Sequence, residues 1–274
     1  MNDNNSNSIP HYNPESANTH LDFNKPIKKI LYSIVMHEES QILIETFNLK
    51  KDEEFSRSHS NLLESYIKYD DKNNLDIILV RPLIDPFNKT ELFGTEISFL
   101  ISYLAIQFYK PDIIISFGYA GSTGINKSLK LGDIVLAKDC GFYFRRNMII
   151  EFYQKTSMGL YPLFNCENTS KQLNFPLSII GSSNSFVSHD DIATSKGVEV
   201  VEMELCSVAR AAYYFKIPCV GLKIISDTSS NDELTDQKER EKQFLESLKI
   251  MRQNLVQGFS ILNDFISGKV LNQL

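Results

Sequence analysis

Residues 111–124 read PDIIISFGYAGSTG. Asp112 to Phe117 is an apolar run of strand length without polar alternation, the pattern of a strand covered on both faces. Thr90 to Tyr109, just before it, carries helical periodicity that Pro111 closes. Gly118-x-x-Gly121-x-x-Gly124, just after it, reads either as a glycine-rich loop whose backbone N–H groups can approach a ligand or as an ordinary tight turn. A helix, a buried strand and a turn in that order are a unit of an α/β protein.

The same alternation extends in both directions. Lys29 to Val35 (KILYSIV) reads as a first buried strand. A helical pattern follows, Ile42, Leu43, Phe47 and Leu49, begun near Glu38–Ser40. Leu62 to Tyr69 and Leu75 to Val80 read as strands joined by a turn at 70–74. Gly132-Asp133 introduces another at Ile134 to Ala137, residues 141–176 read mostly as loop, and Leu177 to Gly181 as a short strand. Glu204 to Phe215 reads as helix and Pro218 to Ile225 (PCVGLKII) as a buried strand. Phe244, Leu248, Met251, Leu255, Phe259, Leu262 and Ile266 form one apolar stripe on a C-terminal helix. The expected fold is a three-layer α/β/α sandwich around a mixed sheet.

Residues 1–26 are rich in Asn and Ser and poor in large apolar side chains, so they read as a disordered tail; residues 27–270 read as a single domain. The net charge is −6 with no block of Lys or Arg, which disfavours a nucleic-acid surface or an anionic membrane contact. No apolar run reaches the length that spans a bilayer. Cys140, Cys166, Cys206 and Cys219 have no metal-ligand spacing and read as buried thiols of a reducing, cytoplasmic compartment.

In such sheets ligands bind beyond the carboxyl ends of strands. Four stretches lie there: Met36–Glu39, Gly118–Gly121, Ser182–Val187 and Ser226-Asp227. Asp227 is placed for general acid work, although by itself a turn Asp would look the same. Glu39 by itself is equally a first-turn helix Glu, and His37 an exposed loop histidine. In Val201-Glu202-Met203-Glu204 the two carboxylates cannot share a helical face, so one faces a site and the other solvent, and periodicity does not select between them.

Order and context add to this. PDIIISFGYAGSTGINKSLKLGDIVLAKD resembles the glycine-loop segment of the purine nucleoside phosphorylase and uridine phosphorylase superfamily. VEMELCSVARAAYYFKIPCVGLKIISD resembles the VEMEA…ISD segment of the 5′-methylthioadenosine/S-adenosylhomocysteine nucleosidases within it, and IVMHEES their strand-end segment with a catalytic glutamate. FGTEISFLISYLAIQFYKPD and GFYFRRNMIIEFYQKTSMG are similar to the plant branch. The resemblance runs from about residue 28 to 268 in the family's order. It implies a phosphorylase/hydrolase-like sandwich that cleaves a purine N-glycosidic bond.

It also implies roles. Asp227 corresponds to the acid that protonates the departing purine, and Glu39 to the residue that orients and deprotonates water. Glu204 corresponds to the acceptor of ribose hydroxyls, and Met203 to an apolar contact beneath the sugar. Phe186 corresponds to the ring stacked on adenine and Val187 to the backbone that reads the base edge. Ser226, Tyr119, Ala120 and Gly121 complete the expected substrate contacts. No metal or organic cofactor is implied. A homodimer is, with one subunit's loop near residues 142–160 capping its partner's 5′-substituent pocket.

The superfamily also contains phosphorylases, which must hold a dianion with forked cations. Their bacterial members have GDPLR after the first strand, where this chain has MHEES, and an Arg just before the glycine loop, where it has Ser116. Water is therefore the expected nucleophile and methylthioadenosine the expected substrate, with S-adenosylhomocysteine as a second. A phosphorolytic enzyme and a non-catalytic nucleoside-binding or storage relative are the alternatives. The chain departs from the family pattern in four places: Tyr119 stands where a small residue is usual, Ser122 where a Gly is usual, Ser183-Asn184-Ser185 where the turn is G-D-S/A, and Tyr143-Phe144-Arg145-Arg146 where the motif is F-H-D-R-R.

Overall fold

The computed structural model describes residues 21–59, 62–71, 73–143, 150, 153, 158–185, 197–228 and 237–274; the side chains of residues 228 and 237–245 are outside it. Most of the N-terminal tail, Phe186 and Val187, and most of the 142–160 loop lie outside the described residues.

Among the described residues nine strands form one mixed sheet: β1 (Lys29–Ser33), β2 (Lys50–Lys51), β3 (Leu63–Asp70), β4 (Leu75–Pro82), β5 (Ile113–Ser122), β6 (Ile134–Gly141), β7 (Leu177–Ser182), β8 (Val200–Glu202) and β9 (Cys219–Thr228). Their order is β2-β3-β4-β1-β5-β8-β7-β6-β9, and β9 returns to pair with β5. Five strands thus close on themselves while β1 to β4 extend from β5 as an open wing. Parallel pairs (β1 with β4 and β5, β5 with β9, β6 with β7, β7 with β8) mix with antiparallel ones. The described helices are α1 (His37–Phe47), α2 (Glu53–Ser58), α3 (Thr95–Tyr109), α4 (Glu167–Leu173), α5 (Leu205–Phe215) and α6 (Gln237–Ile266).

Side chains alternate across a strand, so β5 feeds two cores. Ile114 and Ala120 pack with Ile101 and Ala105 of α3 and with Val208 and Ala212 of α5. Ile113, Ile115 and Phe117 pack with Leu43 of α1 and with Leu255, Phe259 and Leu262 of α6. The expected three layers are present: α3 and α5 on one face of the sheet, α1 and α6 on the other.

Several boundaries differ from the sequence reading. The glycine stretch is not a loop after a strand; Gly118 to Gly121 are among the last residues of β5 itself, paired with β9 through Ser122. Apolar patterning under-reads a strand whose end carries small residues. Helix α3 starts at Thr95, not Thr90, because Gly94 with φ of 105° is its N-cap. Leu49 lies past α1, which Asn48 ends in the left-handed conformation. Residues 141–176 contain α4, a helix too short and polar to show a stripe. Strands β2 and β8, of two and three residues, carry no period at all.

Candidate active site

Glu39 lies in the first turn of α1, whose buried side chains are Glu39, Ser40, Leu43 and Ile44. It takes the place of an apolar residue one turn before Leu43, so helical geometry carries a carboxylate into the interior, only 4% exposed. There Oε1 accepts the Tyr119 N–H at 2.7 Å. A Cβ on Gly118, whose φ is 150°, would lie 2.7 Å from Glu39 Oε2. Burial, with a smaller contribution from the like charge of Glu204, pushes the Glu39 carboxyl up to about 8 against the pull of the Tyr119 N–H.

Asp227 is set by a bulge. In the β5–β9 ladder Ala120 pairs with Ile225 and Gly121 with Asp227, so Ser226 is the extra residue. The Ser226 hydroxyl lies 3.1 Å from the Ala120 carbonyl and 2.7 Å from Asp227 Oδ1. Both Asp227 oxygens lie 3.0 Å from where a Gly121 Cβ would stand. The first two glycines of the stretch therefore make room for the chain's own carboxylates, Glu39 and Asp227.

The VEME segment separates into two roles. Glu202 ends β8 and is buried, with Oε2 accepting the Glu204 and Leu205 N–H groups at 2.9 and 2.8 Å and Oε1 accepting the Ser182 hydroxyl. It caps α5, whose own N-cap residue, Glu204, makes no side-chain cap. The expectation that the second carboxylate faces solvent is wrong. Glu202 is turned inward, 2.9 Å from Lys223 Nζ, because a strand end followed by a helix start need not keep helical spacing. Glu204 is 17% exposed toward the cavity and 3.5 Å from the same ammonium. Burial, opposed by Lys223 and assisted by Glu202, raises its carboxyl to about 7. Lys223 is 1% exposed; burial alone would loosen its proton, but Glu202 and Glu204 hold it more firmly than usual.

A cavity of about 280 Å³ joins these groups. Of the residues expected at the site, Glu39, Tyr119, Ala120, Gly121, Met203, Glu204, Ser226 and Asp227 line it, while Phe186 and Val187 lie outside the described residues. Tyr119 contributes its backbone N–H, and its half-buried ring packs with the core shared by α1 and α6. His37 is not the exposed loop histidine expected; it opens α1, half-buried, with Nε2 2.9 Å from the Pro82 carbonyl. The sequence reading missed Phe93, which lines the cavity, and Lys223. A lone Lys inside the apolar run PCVGLKII was the available signal, since a buried ammonium requires carboxylate partners.

Cations matter for what this site can hold. Arg81, near the end of β4 and close to α1, has its guanidinium spent within the fold on Glu64, with further bonds to Ser40, Gln41 and the Tyr66 hydroxyl. Ser116 is buried in β5 and brings no charge. Lys223 lies between two carboxylates. The cavity is thus rich in carboxylate oxygens and offers nothing like a forked pair of cations among its described lining residues.

Comparison with known proteins agrees with this geometry. The family model described as the phosphorylase superfamily matches residues 94–260. A 5′-methylthioadenosine nucleosidase of Arabidopsis thaliana is 27% identical over 91% of this chain and 91% of its own length. A 5′-methylthioadenosine/S-adenosylhomocysteine nucleosidase of the same plant is 28% identical over 91% of this chain and 96% of its own. The apo structure of the Arabidopsis 5′-methylthioadenosine nucleosidase superposes with a TM-score of 0.80 at 27% identity, covering 91% of this chain and 100% of that one. By sequence, sheet and helix layering, the chain belongs to the phosphorylase superfamily.

Proposed function

We propose that this protein hydrolyses the N-glycosidic bond of 5′-methylthioadenosine, releasing adenine and 5-methylthioribose, and accepts S-adenosylhomocysteine as a second substrate. The observation that carries the choice of water is Glu39: a buried carboxyl with a raised pKa, facing the cavity from the helix start where a phosphorylase needs cations. A phosphate dianion beside it would meet repulsion at low effective dielectric. A water there meets a hydrogen-bond acceptor matched to a general base working near neutrality.

The division of labour follows from charge. Leaving of the purine builds positive character on the ribose and negative charge on the base. Asp227, the most exposed of the three acids, protonates the purine; its Ser226 and Gly121 contacts aim it. Glu204 accepts hydrogen bonds from ribose hydroxyls and, next to Lys223, keeps its own position, while Met203 lies against the sugar. Glu39 takes the proton of the attacking water. Phe186 and Val187 receive the base, and Val35, Met36 and Phe93 add apolar wall suited to a 5′-thioether. Methionine salvage in the cytoplasm is the context, and a homodimer the assembly, with the 142–160 loop closing the partner's 5′-pocket.

The deciding experiment measures adenine release from methylthioadenosine in phosphate-free buffer and again with phosphate. Release without phosphate and no gain with it supports hydrolysis. Strict dependence on phosphate would identify a phosphorylase. No release in either buffer, with methylthioadenosine still bound, would identify a binding or storage relative.

A further inference from the structure

The Ser183-Asn184-Ser185 turn, which departs from the family pattern, packs directly on the start of α3. That helix begins at Thr95 with Gly94 as its N-cap, and Gly94 has no side chain to satisfy the exposed N–H groups of the first turn. The cap comes from 89 residues away: Asn184 Oδ1 accepts the Thr95 N–H at 2.7 Å. The other end of the same amide donates to Glu96, with Nδ2 2.8 Å from each carboxylate oxygen. A Cβ on Gly94 would lie 2.9 Å from Asn184 Oδ1, so glycine is what lets the two segments close.

Both segments contribute to the cavity lining. Phe93 precedes Gly94, and Ser185 follows Asn184; both line the cavity. We propose that Asn184 and Glu96 form a latch that sets the distance between the two lining residues Phe93 and Ser185, and so tunes nucleoside affinity as a pair of positioning residues. The amide is required by its partner. An Asp here, the residue of the family turn, would cap Thr95 equally well but would present a carboxylate to Glu96. Asn184 and Glu96 are thus a matched pair, each explaining the other. Glu39, Glu204 and Asp227 are held by separate contacts, to Tyr119, Lys223 and Ser226. Disturbing the latch moves Phe93 and Ser185 and leaves the reacting groups in place.

The latch rests on the nucleosidase reading, and its test separates the two. Adenine release from methylthioadenosine and equilibrium binding of adenine are measured for the unaltered protein, N184D, E96Q and N184D/E96Q. The expected result is a fivefold or larger rise in KM, and in the adenine Kd, for N184D, with kcat within twofold. E96Q stays close to the unaltered protein. N184D/E96Q returns KM to within twofold, because the new amide at position 96 can donate to the new carboxylate at position 184. A loop that merely needs Asn for stability would not be rescued by a change at residue 96. An unchanged KM in N184D, or no rescue in the double variant, overturns the latch while the nucleosidase reading stands. If the unaltered protein releases no adenine but binds it, the reading fails and the Kd series still decides the latch. If it neither releases nor binds adenine, both fall.

Discussion

The Lys223 ammonium lies 2.9 Å from a Glu202 carboxylate oxygen, with both side chains 1% exposed. Such a pair, closed off from water, couples fold to site: Glu202 caps α5, and Lys223 also faces Glu204. Removing one member leaves the other charge buried without a partner, which costs about 3–5 kcal/mol. Lys223→Met is therefore expected to lower unfolding stability by about that amount in urea titrations, and to raise KM by loosening Glu204. Adding Glu202→Gln to it should recover part of the stability, because the uncompensated anion is gone.

Glu39 is expected to trade stability for activity. Its carboxyl titrates near 8 in the folded protein against an ordinary 4.5, so between those pH values the folded state binds more protons and stability falls as pH rises. At about 1.4 kcal/mol per unit, the cost above pH 8 comes to about 5 kcal/mol. Glu39→Gln should then be more stable than the parent at pH 8.5, close to it at pH 5, and without turnover. Melting curves at the two pH values check the crossover; a uniform loss of stability would contradict it.

The same titration sets the rate profile. A base must be ionised to accept the proton of water, and Glu39 and Glu204 rise to about 8 and about 7. The base-dependent limb of kcat/KM for the free enzyme is expected to lie in that interval, rising with pH as Glu39 ionises next to Glu204. A profile flat from pH 6 to 9 would exclude Glu39 as the base.

Gly118 and Gly121 should respond differently to alanine. At Gly118 the added Cβ meets the buried Glu39 carboxylate at 2.7 Å with φ at 150°, and neither can yield. Gly118→Ala is expected to cost about 2–4 kcal/mol of stability as well as activity. At Gly121 the Cβ meets Asp227, whose exposed side chain can swing aside. Gly121→Ala should melt close to the parent while kcat falls at least tenfold. Equal melting losses in both variants would contradict this account.

Asp227→Asn is expected to abolish nearly all turnover while the protein keeps its fold and binds adenine, because an amide cannot supply the proton. Near-normal adenine release from this variant would remove Asp227 from the acid role.

Much of this was readable along the chain. The apolar runs at 29–35, 112–117 and 218–225 identified the central strands, since a strand covered on both faces tolerates few polar residues. The stripe from Met251 to Ile266 gave the buried face of α6. Glu39 and Asp227 were visible as strand-end carboxylates, and Glu204 through the resemblance of its segment to the family's. What a linear reading could not supply was which atoms these groups would meet. Asn184 lies 89 residues from the helix it caps, and the bulge that isolates Ser226 exists only in the pairing of β5 with β9. The choice between Glu202 and Glu204 was likewise decided in three dimensions, by where Lys223 places its ammonium and which backbone N–H groups need an acceptor. Periodicity is local and records which side of an element is dry. Ion pairs, caps in trans and close approaches of carboxylates to glycine are contacts between distant segments, and only the closed sheet brings those segments together.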